Sequence, residues 1–112
     1  MNYEEFKART TEKASYETFK KYEAMYMAGG DIDKDMFCKL MKPLVVAETE
    51  SAPYKAEAAE ATVLFHNDMS QASVAALDGD MDAFEKCIEN ARQEAVRRFE
   101  AETKVKKIYA KL

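Results

Sequence analysis

The spacing of apolar positions along this 112-residue chain predicts four main helices. The first is expected to start near Asn2, which has capping-box spacing with Glu5, and to run to about Ala28, where Gly29-Gly30 ends it. Its apolar face is not continuous. Tyr3 and Phe6 lie on one side of a helical wheel, and Tyr16, Phe19, Tyr22 and Tyr26 lie nearly opposite. A break near Thr10-Thr11 resolves that conflict. The second helix is expected to be short, Lys34 to Lys42, capped by Asp33 and limited by Pro43. Ile32 and Phe37 have the spacing of a hydrophobic staple. Leu44 to Ala52 reads as a connector anchored by Val45 and Val46.

The third helix is expected from Pro53, a residue suited to a first turn, to Leu77. Tyr54, Ala58, Ala61, Phe65, Ala72 and Ala75 fall on one side at heptad-like spacing, and Val63, Val74 and Leu77 fall on the other. That pattern predicts a central helix buried on two faces, with a break around Asn67-Asp68 as the alternative. The fourth helix is expected to run from Asp80 to the end. Its stripe is Phe84, Ile88, Ala91, Ala95, Phe99, Val105, Tyr109 and Leu112, with Phe84, Ile88 and Phe99 largely buried. Arg98 and Glu102 interrupt the stripe, four apart and able to pair. Because the second helix is short, Val105, Ile108, Tyr109 and Leu112 are expected to be partly exposed and to meet another subunit or a partner.

Gly30-Asp31-Ile32-Asp33 and Gly79-Asp80-Met81-Asp82 repeat a helix stop followed by a helix start, 49 residues apart. They divide the chain into two hairpins. The expected fold is all-α, a single domain over residues 1–112, arranged as a four-helix bundle with a long C-terminal helix. Few glycines and prolines against many Ala, Glu, Lys and Met agree with helix over sheet. A hydrophobic fraction of 47% argues against intrinsic disorder.

Charge changes the picture more than composition does. The net charge of −4 divides into balance over residues 1–43, −8 over 44–91 and +4 over 92–112. Neighbouring helices of one bundle would attract each other this way, and the basic end is otherwise a patch for an anionic partner. The start has no basic region followed by an apolar stretch, so no secretory signal is read there. The longest uncharged run, Met69 to Leu77, is nine residues, so no membrane span is expected. Two distant cysteines form no disulfide framework, which makes a reduced, cytoplasmic location the expectation.

Candidate chemistry is thin. Asp78, Asp80, Asp82 and Glu89 match four positions of a twelve-residue calcium loop, but Ala83 stands where the turning glycine belongs. Helix capping explains these aspartates more simply. His66 has Thr62, Val63, Met69 and Ser70 at the spacings a helical zinc ligand needs. Cys38 and Cys87 have no local base, and no phosphate loop or HExxH occurs. No metal or cofactor is expected, and no catalytic residue.

Two surfaces remain as partner-binding candidates. One is the ridge of Tyr16, Tyr22 and Tyr26, with Met25 and Met27 beside it. The other is the basic row Arg97, Lys104, Lys107 and Lys111, with Tyr109 close by and Glu100 weakening it. The expectation is a non-catalytic helical protein acting on another protein or associating with itself. A regulator, an adaptor or an inhibitor of a larger enzyme fits, including the anti-CRISPR type encoded by phages and mobile elements. Nucleic-acid binding through the basic C-terminal helix is the alternative. A metal-dependent or hydrolytic enzyme comes last.

Overall fold

The computed structural model describes all 112 residues and is entirely helical between its turns. Four helices follow one another: α1 (Tyr3–Arg9), α2 (Tyr16–Ala28), α3 (Lys34–Leu77) and α4 (Met81–Tyr109). Packing divides the chain into two compact units. The N-terminal unit comprises Met1–Ala52 with Ile108–Leu112, and the hairpin unit comprises Pro53–Lys107. A single four-helix bundle is not confirmed.

Polar side chains set the helix boundaries. Asn2 accepts from the Glu5 N–H at 2.8 Å and starts α1. At Thr10 the backbone leaves helical geometry, and its hydroxyl donates to the Phe6 carbonyl at 2.7 Å. The expected break therefore stands, and it lets Phe6 and Phe19 share one core although they face apart on a continuous wheel. Ser15 caps α2 through the Thr18 N–H. Gly30 takes positive φ beyond its end, as a helix stop needs. Asp33 caps α3 through the Met36 N–H, as expected, and Ile32 packs against the cluster that holds Phe37.

The second helix does not stop at Lys42. Helix α3 continues through Pro43 and Pro53 to Leu77, so the expected connector is helical. A helix-interior proline removes one ladder hydrogen bond and costs about 3 kcal/mol or more. Here the residues flanking Pro43 outweigh that cost, because Phe37, Cys38, Val45 and Ala47 are all buried and need the helix to hold them there. The core of the N-terminal unit is this set together with Phe6, Ala14, Phe19 and Tyr22.

The hairpin unit is built differently. Residues 53–77 of α3 and 81–107 of α4 are joined by a tight turn at Asp78-Gly79-Asp80. The Asp80 N–H donates to the Ala75 carbonyl at 2.9 Å, the Gly79 N–H donates to Ala76 at 3.2 Å, and Gly79 has φ +73°. This double bond pattern closes a helix C-terminus on a left-handed glycine. The Asp80 side chain then caps α4 through the Ala83 N–H. Along α3 the seam follows Tyr54, Ala58, Ala61, Phe65, Ala72 and Ala75, as the spacing predicts.

Along α4 the expected stripe is wrong in its middle. Ala91 and Ala101 are buried, whereas Ala95 is exposed and Phe99 is 69% exposed. Phe84 and Ile88 are only half-buried. Steps of four residues, as from Ala91 to Ala95 to Phe99, each overshoot a turn by about 40°, so the chosen stripe rotated off the seam. Two residues apart means roughly 160° apart on a helix, so a buried Ala101 turns Phe99 outward. The same relation corrects α3. Val63, Val74 and Leu77 each follow a buried alanine by two positions, and they are 59%, 59% and 88% exposed. The two-sided burial expected for this helix is absent within the chain.

Candidate protein-interaction surfaces

The tyrosine ridge does not form one surface. Tyr22 is 2% exposed in the N-terminal core, 6.1 Å from the Phe6 ring centroid. Burial, and next to it the charge and hydrogen bond of Glu48, push its phenol up to about 12. Tyr26 is half-buried against Phe37, with centroids 5.3 Å apart. Only Tyr16 is largely exposed, resting edge-on against Tyr3 at 5.4 Å with the Lys20 ammonium over its ring. Met25 and Met27 are exposed as well. The ridge therefore divides: Tyr22 is core, Tyr26 is half-buried, and Tyr16, Met25 and Met27 are surface.

The basic row is divided too. The Arg97 guanidinium binds three carboxylates, Glu57 at 3.3 Å, Glu60 at 3.1 Å and Glu94 at 3.4 Å. The Glu57 hydrogen bond is the largest cause of the upward shift in its pKa. At Arg97 the acidic middle and the basic end of the chain meet inside one unit. Lys104 holds its ammonium 5.1 Å above the Tyr54 ring. Lys107 borders a shallow hollow of about 230 Å³ with Phe99, Glu100, Thr103 and Lys104. Arg98 and Glu102 pair at 2.9 Å, as their spacing predicts. Tyr109 is half-buried in the N-terminal unit, where it adds to the upward shift of Tyr22.

Lys111 belongs to a site that sequence reasoning missed. In the N-terminal unit a hollow of about 430 Å³ has Pro43, Val46, Ala47, Ile108 and Leu112 as its apolar lining. Lys39, Lys42 and Lys111 border it, against one acid, Glu50. Met36, Leu40 and Leu44 continue the apolar surface on the same helix and are exposed. The signal is present as Lys39, Lys42, Val46 and Glu50, at intervals of three and four, with Pro43 beside Lys42. A helix expected to stop at Pro43 breaks that face in two, whereas α3 runs through it.

Groups capable of chemistry lie apart. Cys38 is buried and its thiol is pushed up, chiefly by burial. Cys87 borders an open groove of about 450 Å³ at the hairpin turn, together with Ser70, Val74, Asp78 and Asp80. His66 is exposed on α3. No three His, Cys, Asp or Glu side chains come together as a metal-binding group. Asp80 is occupied with capping α4, and Asp82 and Glu89 lie within that helix two turns apart. No helix is long and apolar enough to cross a membrane. No protein-family model matches the chain, and no curated protein or solved structure is significantly similar to it.

Proposed function

We propose that this protein is a non-catalytic interaction protein that binds an acidic amphipathic helix of another protein. The hollow bordered by Lys39, Lys42 and Lys111 carries this reading. An apolar floor takes leucine-like side chains, and three ammonium groups at its edge attract carboxylates on the flanks of the same helix. Such a surface suits a regulator, an adaptor or an inhibitor that occupies a partner's docking helix. Nucleic acid is a poorer fit. Arg97 is already saturated by three carboxylates, which leaves the C-terminal basic row short of its strongest phosphate ligand.

The test uses a fluorescent helical peptide of about four turns, with leucines on one face and glutamates beside them. Anisotropy should report saturable binding that weakens by about tenfold or more in the Lys39→Glu, Lys42→Glu double variant. Binding that ignores this charge reversal, or none up to millimolar peptide, contradicts the reading. Tighter capture of a duplex DNA probe by the unaltered protein would replace it with the nucleic-acid alternative.

A further inference from the structure

Glu50 is the one acid at a hollow otherwise bordered by lysines, and it shares a helical face with two of them. Lys39, Lys42, Val46 and Glu50 follow one another along α3 at steps of three, four and four. Such steps keep all four on one side of the helix. At the rise of an α-helix, Glu50 lies about 16 Å along the axis from Lys39 and about 12 Å from Lys42. Both separations exceed the Debye length of about 8 Å at physiological salt, so the two lysines do little to neutralise Glu50. Along α3, the face has a positive end and a negative end.

These charges have no partners inside the chain. Elsewhere in the N-terminal unit, Arg9 pairs with Asp35, Lys34 with Glu5 and Lys21 with Glu48. Lys39, Lys42, Glu50 and Lys111 make no such pair, and all four are exposed. An ion pair formed with a bound helix here replaces no internal one.

We infer that Glu50 selects the charge order of the bound helix. That helix carries carboxylates at one end, for Lys39 and Lys42, and a lysine or arginine two to three turns away, for Glu50. The inference rests on reading the hollow as a helix-binding site, and it adds what that site rejects. A uniformly acidic helix gains at the lysines but sets a carboxylate against Glu50. That like-charge contact is the repulsive element that discrimination between partners uses. The apolar floor of Pro43, Val46, Ile108 and Leu112 does not distinguish the two helices, because both offer it the same leucine face. Chain direction is not selected, since a helix with separated charges can lie either way along α3 and still match both ends.

Two fluorescent peptides of identical composition test this, each about four turns long with leucines on one face. One carries its glutamates at one end and its lysine at the other. The second places the lysine centrally, between glutamates. Equal net charge removes general attraction to the lysines as the cause of any difference. Anisotropy at low salt should show the end-lysine peptide binding roughly threefold to tenfold more tightly. Glu50→Lys should reverse that order, and Glu50→Gln should nearly abolish the difference. Both variants should keep the parent's helical circular dichroism, because Glu50 is exposed. Equal binding of the two peptides to the parent overturns the inference and leaves the helix-binding reading standing, as does an order unchanged by Glu50→Lys. Binding of neither peptide up to millimolar overturns that reading, and the inference falls with it.

Discussion

Tyr22 and Cys38 both lie in the core cluster of the N-terminal unit, and burial acts on both in the same direction. Each favours its protonated form more strongly when folded than when unfolded. Their contribution is therefore fully present below the ordinary thiol and phenol values, and it is lost as pH rises. For Tyr22 the loss falls between about pH 10 and its raised value of about 12, and amounts to roughly 2 to 3 kcal/mol. Thermal melts from pH 8 to 12 should fall steeply above pH 10, and Tyr22→Phe should flatten that part of the curve. An unchanged slope in the variant would mean that another group controls alkaline unfolding. The cysteines give a second expectation. Cys87 is partly open at a groove and should react with a thiol reagent in the folded protein, while Cys38 should react only on unfolding. Mass spectrometry after brief labelling distinguishes them; equal rates would contradict the buried position of Cys38.

Among the elements, α3 departs furthest from its expected form. Pro43 is kept in a helix by its neighbours rather than by its own preference. Pro43→Ala restores a donor for the ladder, a gain of up to about 3 kcal/mol offset by about 0.4–1 kcal/mol of extra unfolded-state entropy. The variant should unfold at higher urea, and a lower midpoint would show that the ring's packing at the hollow stabilises the fold. Caps and stops were legible in the sequence, because Asn2, Asp33, Gly30, Gly79 and Asp80 act through bonds made within a few residues. So was the break at Thr10, forced by two apolar faces that no single helix reconciles. The hidden parts depended on tertiary packing. Whether Pro43 ends a helix is decided by the burial of Phe37 and Val45, and which way α4 rolls is decided by alanines that a stripe of large residues outvotes. The lysine-bordered hollow joins Lys39 to Lys111, 72 positions apart, and no local pattern announces such a pairing.

For the molecule as a whole, the uneven charge along the chain has a partly internal explanation. Arg97 joins the basic end to Glu57 and Glu60 of the acidic middle within the hairpin unit. These groups are partly exposed, so their attraction is screened by salt. Arg97→Ala should lower the urea midpoint at 20 mM salt and matter much less at 1 M. Equal losses at both concentrations would point to lost packing of the arginine stem instead. The larger claim concerns how the hairpin unit is closed: its fully buried positions are alanines, its larger apolar residues are at most half-buried, and Phe99 faces outward. Urea unfolding of Ala61→Leu and Phe99→Ala, followed by circular dichroism, tests this most directly. Overpacking the seam with leucine should cost about 1–3 kcal/mol, and trimming the exposed phenylalanine should change stability by no more than about 0.5 kcal/mol. The account is contradicted if Phe99→Ala costs 3 kcal/mol or more while Ala61→Leu is tolerated.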